Sequence, residues 1–166
     1  MNDLIFCQRD IPREQWRYGL RSSAATGCGW IATYNALCLL GERAEPEELI
    51  RFFEHQLPLI HGNCGTTILA PALYFKKRGC QVDWTARSEL FDDFAKKFDV
   101  CILFYRWRKK WKLGAHFVAL HHTEHGFEGF NTYNNSKGPD RYGESLVKFL
   151  EERKYFGAVL TGIRQP

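Results

Sequence analysis

Cys28 stands between two glycines in Ala25-Thr26-Gly27-Cys28-Gly29-Trp30, where a helix is expected to begin. His116 opens the apolar run Phe117-Val118-Ala119-Leu120, and fifteen residues later Asn131 follows in Gly129-Phe130-Asn131-Thr132-Tyr133. A thiol, an imidazole and a side-chain amide, each at the edge of a different element, are the parts of a thiol-based acyl-transfer site. The thiolate is the attacking species, and the partial positive charge and free N–H groups of a helix N-terminus favour it. The flanking glycines remove side chains around Cys28, so that a substrate main chain can approach and the Cys28 N–H can donate. His116 is the expected base. The Asn131 side chain is expected to accept the proton on the far ring nitrogen and so hold the imidazole in one tautomer. Asn134 and Asn135 are alternatives for that role. The plainer readings are a small buried cysteine, a polar residue at a strand start and a turn-forming asparagine.

Three elements must position these residues. A helix is expected from Cys28 to Leu40, capped by Thr26, with Trp30, Ile31, Tyr34, Leu37 and Cys38 at helical spacing and Gly41 as its stop. Residues 1–26 read as irregular. Pro46 opens a second helix to His55, and Thr66 or Thr67 a third that ends at Arg78-Gly79. The pattern then changes. Gln81 to Arg87 reads as a strand, and Ser88 caps a short helix over Glu89 to Phe98. Val100 to Trp107 and His116 to His122 read as an antiparallel hairpin. A strand from Phe127 to Tyr133, a helix from Gly143 to Lys154 and a strand from Phe156 to Ile163 complete the chain. Helices first and antiparallel strands second make an α+β fold. The turn at His125-Gly126 would return the chain so that Asn131 lies beside His116.

The 166 residues are expected to form one domain, 1–166, with ordinary apolar and charged fractions of 45% and 25%. No stretch reaches the ~20 apolar residues of a membrane span, and the N-terminus lacks a signal peptide's apolar core, so a cytoplasmic location without membrane contact is expected. The six cysteines are not spaced as a disulfide framework or a zinc site, and His61-Gly62-Asn63-Cys64 has no second pair to complete one. No metal and no cofactor is expected. His121, His122 and His125 read as strand-end polar residues. The net charge of +4 comes largely from Arg106-Trp107-Arg108-Lys109-Lys110-Trp111-Lys112. Basic residues alternating with Trp suit nucleic acid, but a solvated hairpin tip with its Trp rings packed on the sheet is the preferred reading. An acidic peptide or anionic substrate tail is a third.

At these residues the chain resembles the papain-like cysteine peptidases, and among them the short bacteriocin leader-processing (double-glycine) peptidases. In that group a Cys-Gly pair opens a buried helix, a Gly-His-Phe-Val-x-Leu stretch supplies the base, and an Asp or Asn about 15 residues later orients it. The matching segments are Gly27-Cys28-Gly29-Trp30, Ala115-His116-Phe117-Val118-Ala119-Leu120 and Phe130-Asn131, and the third helix also falls where the group has one. The likeness spans about residues 22 to 135. It implies a papain-like domain, with the nucleophile at a helix N-terminus packed on an antiparallel sheet. It also implies cleavage of a peptide or other amide through a Cys28 thioester, with His116 moving the proton and Asn131 holding it. The oxyanion needs two donors. One is the Cys28 main-chain N–H. The family's second is a Gln six residues before the Cys, where this chain has Ser22, followed by Ser23, with Gln8 and Gln15 farther upstream. Two other readings stand beside hydrolysis: an acyltransferase using the same thioester, and a papain-like binding module that makes contact through residues 106–112.

Overall fold

A computed structural model describes residues 4–56, 66–109 and 111–166. His61, Cys64 and Lys110 lie outside the described residues.

Residues 4–26 are more ordered than their sequence suggests. A 3-10 turn, Gln8–Asp10, leads into a small hairpin of β1 (Arg17–Tyr18) and β2 (Arg21–Ser22), then a single helical turn, α1 (Ser23–Thr26). The main helix α2 (Cys28–Leu39) follows with only Gly27 between them. Thr26 therefore belongs to α1 and does not cap α2, and its hydroxyl is buried without a hydrogen-bond partner. At the other end Gly41 adopts a φ of +73°, and Gly41 and Glu42 N–H donate to the carbonyls of Cys38 and Leu37. Few residues other than glycine take that conformation, so the helix stops where the sequence placed its end.

Helix α3 (Pro46–His55) begins on its proline, and α4 spans Ala70–Lys77, shorter at both ends than expected. Strand β3 is Gln81–Thr85. Ser88 does not cap a helix: it starts a 3-10 turn, Ser88–Leu90, before the short α5 (Phe91–Ala95), and its hydroxyl accepts a bond from Tyr155. Strands β4 (Val100–Lys109) and β5 (Lys112–Thr123) form the long hairpin, so most of the basic Trp segment is strand. Trp107 packs against Gly114, while Trp111 is fully exposed, 100%. Strand β6 is Gly126–Phe130, β7 is Asp140–Gly143, α6 is Leu146–Glu152 with Ser145 as its cap, and β8 is Tyr155–Arg164. Strand β7 was not evident from its sequence.

The large sheet has the order β3-β8-β4-β5-β6-β7, with every neighbouring pair antiparallel. Both of its faces are covered. On one side Ile102, Phe104, Phe117 and Ala119 pack with Trp30, Ile31, Leu37, Leu49 and Phe75 of α2, α3 and α4. On the other, Leu103, Tyr105, Val118 and Leu120 pack with Phe91 of α5 and Leu146, Phe149 and Leu150 of α6. Successive strand residues face opposite layers, and each layer is apolar, so β4 and β5 read as continuous apolar runs.

Candidate active site

Strand β5 has two different surroundings along its length. From Ala119 to Thr123 it is paired with β4 on one side and β6 on the other. From Lys112 to Val118 it keeps β4, but among the described residues no strand pairs with its other edge. The N-terminus of α2 meets β5 along this open stretch. The Cys28 thiol, half-buried, lies against the main chain of Phe117, the residue after His116.

His116 has the strand parity of Val118 and Leu120. Its ring stands edge-on to Tyr105, its cross-strand partner, at 6.2 Å between centroids. Its Nε2 is 2.6 Å from the main-chain carbonyl of Asn131. A carbonyl has no proton to give, so Nε2 carries the hydrogen and Nδ1 the lone pair. The orienting acceptor is thus not the side chain expected from the sequence. Strand β6 ends at Phe130, and Asn131 takes a left-handed conformation, φ +65°, which turns its carbonyl to the imidazole. Asparagine is one of the few residues that take this conformation readily.

The Asn131 side chain is used elsewhere. Its Oδ1 accepts from the Gln8 main-chain N–H at 2.8 Å, and its Nδ2 donates to Gln8 Oε1 at 3.2 Å. Gln8 Nε2 in turn donates to the Ala24 carbonyl at 3.1 Å. Gln8 lies twenty residues before Cys28 in sequence, and the β1–β2 hairpin between them folds away and returns the chain. Its distance from Cys28 in sequence concealed this residue, which the fold brings to the cleft lining beside His116 and Asn131. The turn after Asn131 is secured by Thr132 Oγ1 and the Tyr142 hydroxyl at 2.5 Å, and by Ser136, which accepts from Tyr133 N–H and donates to Asp140 at 2.6 Å.

The two serines proposed as oxyanion donors differ. Ser23 is buried and its hydroxyl accepts from the Trp30 indole N–H at 3.0 Å. Ser22 lines the open cleft. The glycines beside Cys28 also act differently from the expectation. A Cβ at Gly27 would come within 2.6 Å of the Ser23 carbonyl and the Trp30 indole nitrogen, and one at Gly29 would overlap Thr66. They allow α1 and Thr66 to close on the helix start, so they serve packing. Thr66 donates to the hydroxyl of Tyr18, whose ring is fully buried.

Electrostatics also differ from the helix-terminus argument. Burial pushes the Cys28 thiol above its ordinary value, outweighing the main chain of Phe117, Cys28 and Gly29, which favours the thiolate. Burial lowers the imidazole of His116; the bond to the Asn131 carbonyl opposes this, and the positive charge of Arg153 adds to it. Both directions favour the uncharged forms, a protonated Cys28 thiol and a neutral His116 imidazole. Tyr105 is pushed up to about 12, chiefly by burial.

A cleft of about 910 Å³ opens beside these residues, lined by His116, Asn131, Gln8, Tyr105, Trp107 and three arginines, Arg9, Arg13 and Arg21. Cys28 is set back from it. Among the described residues no group of three His, Cys, Asp or Glu side chains is placed to hold a metal, and no helix is long and apolar enough to cross a membrane. His121 faces Glu128 at 3.5 Å and Phe130, and His122 stands edge-on to Phe127. Neither approaches the cleft lining.

No family model and no curated protein sequence matches this chain. Solved structures do. The peptidase domain of ComA from Streptococcus, a bifunctional ABC transporter of a quorum-sensing pathway, superposes with a TM-score of 0.54 at 12% identity, over 83% of this chain and 91% of that one. A double-glycine-motif protease from an AMS/PCAT transporter, solved in complex with its leader peptide, gives 0.52 at 13% identity, over 95% and 96%. The fold is papain-like. It carries its helices N-terminal and its six-stranded sheet C-terminal, as the sequence led us to expect.

Proposed function

We propose that this chain is a cysteine peptidase that cleaves a peptide amide bond, with Cys28 as nucleophile and His116 as base. One observation carries the reading: the imidazole is fixed through Nε2 by the Asn131 carbonyl, one residue from the main chain that the Cys28 thiol touches. The peptidase domains that share the fold, one of them with a peptide bound, support a peptide as substrate.

In the proposed reaction the neutral pair is activated only as substrate arrives. His116 Nδ1 takes the Cys28 proton while the sulfur bonds to the carbonyl carbon. The oxyanion that forms accepts from the Cys28 main-chain N–H. We assign the second donor to the Gln8 carboxamide, which lines the cleft and keeps a second Nε2 hydrogen beyond the one given to Ala24, in place of Ser23, which is fully buried and does not line it. The C–N bond then breaks, and His116 returns the proton to the departing amine. Water attacks the resulting thioester, giving one proton to His116; the C–S bond breaks, His116 passes that proton to the sulfur to restore the thiol, and the product leaves as a carboxylic acid that ionises in solvent. Asn131 contributes its carbonyl to His116 and its side chain to Gln8, and so ties the base to the proposed oxyanion donor.

The test is hydrolysis of a quenched fluorescent peptide library by the wild-type chain and by Cys28→Ala. Cleavage that vanishes with Cys28→Ala is expected. Cleavage that persists in that variant, or the absence of cleavage from wild type across the library, would refute the proposal.

A further inference from the structure

We infer that the cleft is built for a peptide segment that carries carboxylates; this rests on the peptidase reading above. Arg9 of the 3-10 turn, Arg13 of the turn that follows it and Arg21 of the small N-terminal hairpin line the cleft, and no Asp or Glu lines it. None of the three forms an ion pair among the described residues. Elsewhere Arg43, Arg78, Arg87 and Arg141 each face a glutamate and Lys137 holds Asp10 at 2.8 Å, while other arginines stand singly; what sets Arg9, Arg13 and Arg21 apart is that they share one concavity with no acid in its lining. Asp10, next to Arg9, is committed to Lys137, and neither it nor Glu14, next to Arg13, lines the cleft. Arg153 adds to the same field. It lies 4.0 Å over the Tyr133 ring, itself on the cleft wall, and its charge reaches His116.

Three guanidinium groups around one concavity repel one another, and among the described residues no carboxylate in the cleft lining offsets that repulsion. An incoming carboxylate does, and guanidinium binds carboxylate in a two-pronged geometry. The cleft also offers Tyr105, Trp107 and Tyr133 as aromatic walls for an extended main chain. Trp107 already has one ring face against Gly114, which leaves it as a wall and removes it as a two-sided stacking platform for nucleobases. Of the described residues in the basic segment 106–112, Arg106, Arg108 and Trp111 do not line the cleft.

The experiment uses the full chain as Cys28→Ala, so that binding is read without turnover. Two fluorescent decapeptides of equal length, one with four Glu and one with four Gln in their place, are titrated by anisotropy at low and high salt. The acidic peptide is expected to bind at least ~10-fold tighter at low salt, with the gap closing at high salt. The gap should also vanish in a variant that adds Arg9→Gln, Arg13→Gln and Arg21→Gln, with its Tm unchanged. Equal binding of the two peptides, a gap that survives the arginine substitutions, or displacement of the acidic peptide by a single-stranded oligonucleotide at lower concentration would each overturn the inference. Charge-selective binding without cleavage by wild type would count against the peptidase reading and leave this one standing. Cleavage of both peptides at equal kcat/KM would do the reverse.

Discussion

One strand, β5, holds two histidines of the same parity in opposite circumstances. His122 sits where β4 and β6 flank the strand, its ring against Phe127. His116 sits where β6 has ended, and its ring is held by a main-chain carbonyl that the sheet no longer uses. Residue type and apolar neighbours hardly distinguish them. The end of strand pairing does, because it exposes main-chain groups that a helix terminus and a side chain can reach together.

That contrast can be broken most sharply at the paired residues. Cys28→Ala and His116→Ala should each lower kcat/KM for a cleaved peptide by at least ~10³-fold, whereas His122→Ala should stay within about twofold. An equal loss from His122→Ala would remove the distinction between the two ends of the strand. Next in size is Gln8→Ala. Losing an oxyanion donor costs ~10²-fold in kcat, with KM changed much less. A rise in KM alone would instead make Gln8 a binding residue.

Asn131→Ala should be milder. A side chain that orients the base costs about 10⁴-fold when changed, as in serine peptidases. Here the carbonyl survives the substitution, and what is lost is the pair of bonds to Gln8, along with the asparagine's tolerance of a positive φ. About a tenfold drop in kcat is expected, and a loss near that of His116→Ala would return the orienting role to the side chain.

Smaller again is the pH effect. The folded His116 has a depressed value, so the folded state binds fewer protons there than the unfolded one. Its contribution to stability is complete above the ordinary imidazole value near 6.5 and declines as the pH falls from there. The acid limb of kcat/KM should accordingly lie below 6.5, and His116→Ala should flatten the loss of Tm on that side. The least effect on turnover is expected from Ser23→Ala. It leaves the buried Trp30 N–H unpaired at a cost of about 1–3 kcal/mol in stability, read by chemical denaturation, with kcat unchanged.

Much of this was legible in the sequence where local chemistry determines local structure. The start of α3 at Pro46, the stop at Gly41 and the two-sided burial of Val100–Tyr105 and Phe117–Leu120 follow from backbone restriction and apolar runs. What was not legible depended on distance. Gln8 bonds to Asn131 from the far end of the chain, and the Asn131 carbonyl meets the His116 imidazole because its φ is positive. Neither shows in residue identity. The glycines around Cys28 misled for a similar reason, since their neighbours, Ser23 and Thr66, arrive from other segments. The thiol's raised value reflects burial, which a helix-terminus argument omits.

The most direct test is covalent. An acidic peptide bearing a C-terminal electrophile is incubated with the native chain near pH 7, and the adduct is mapped by mass spectrometry in wild type and His116→Ala. The account predicts labelling at Cys28 ahead of Cys7, Cys38, Cys80 and Cys101, slowed at least ~10²-fold by His116→Ala. Labelling spread across the cysteines, or labelling of Cys28 at the same rate without His116, would contradict it.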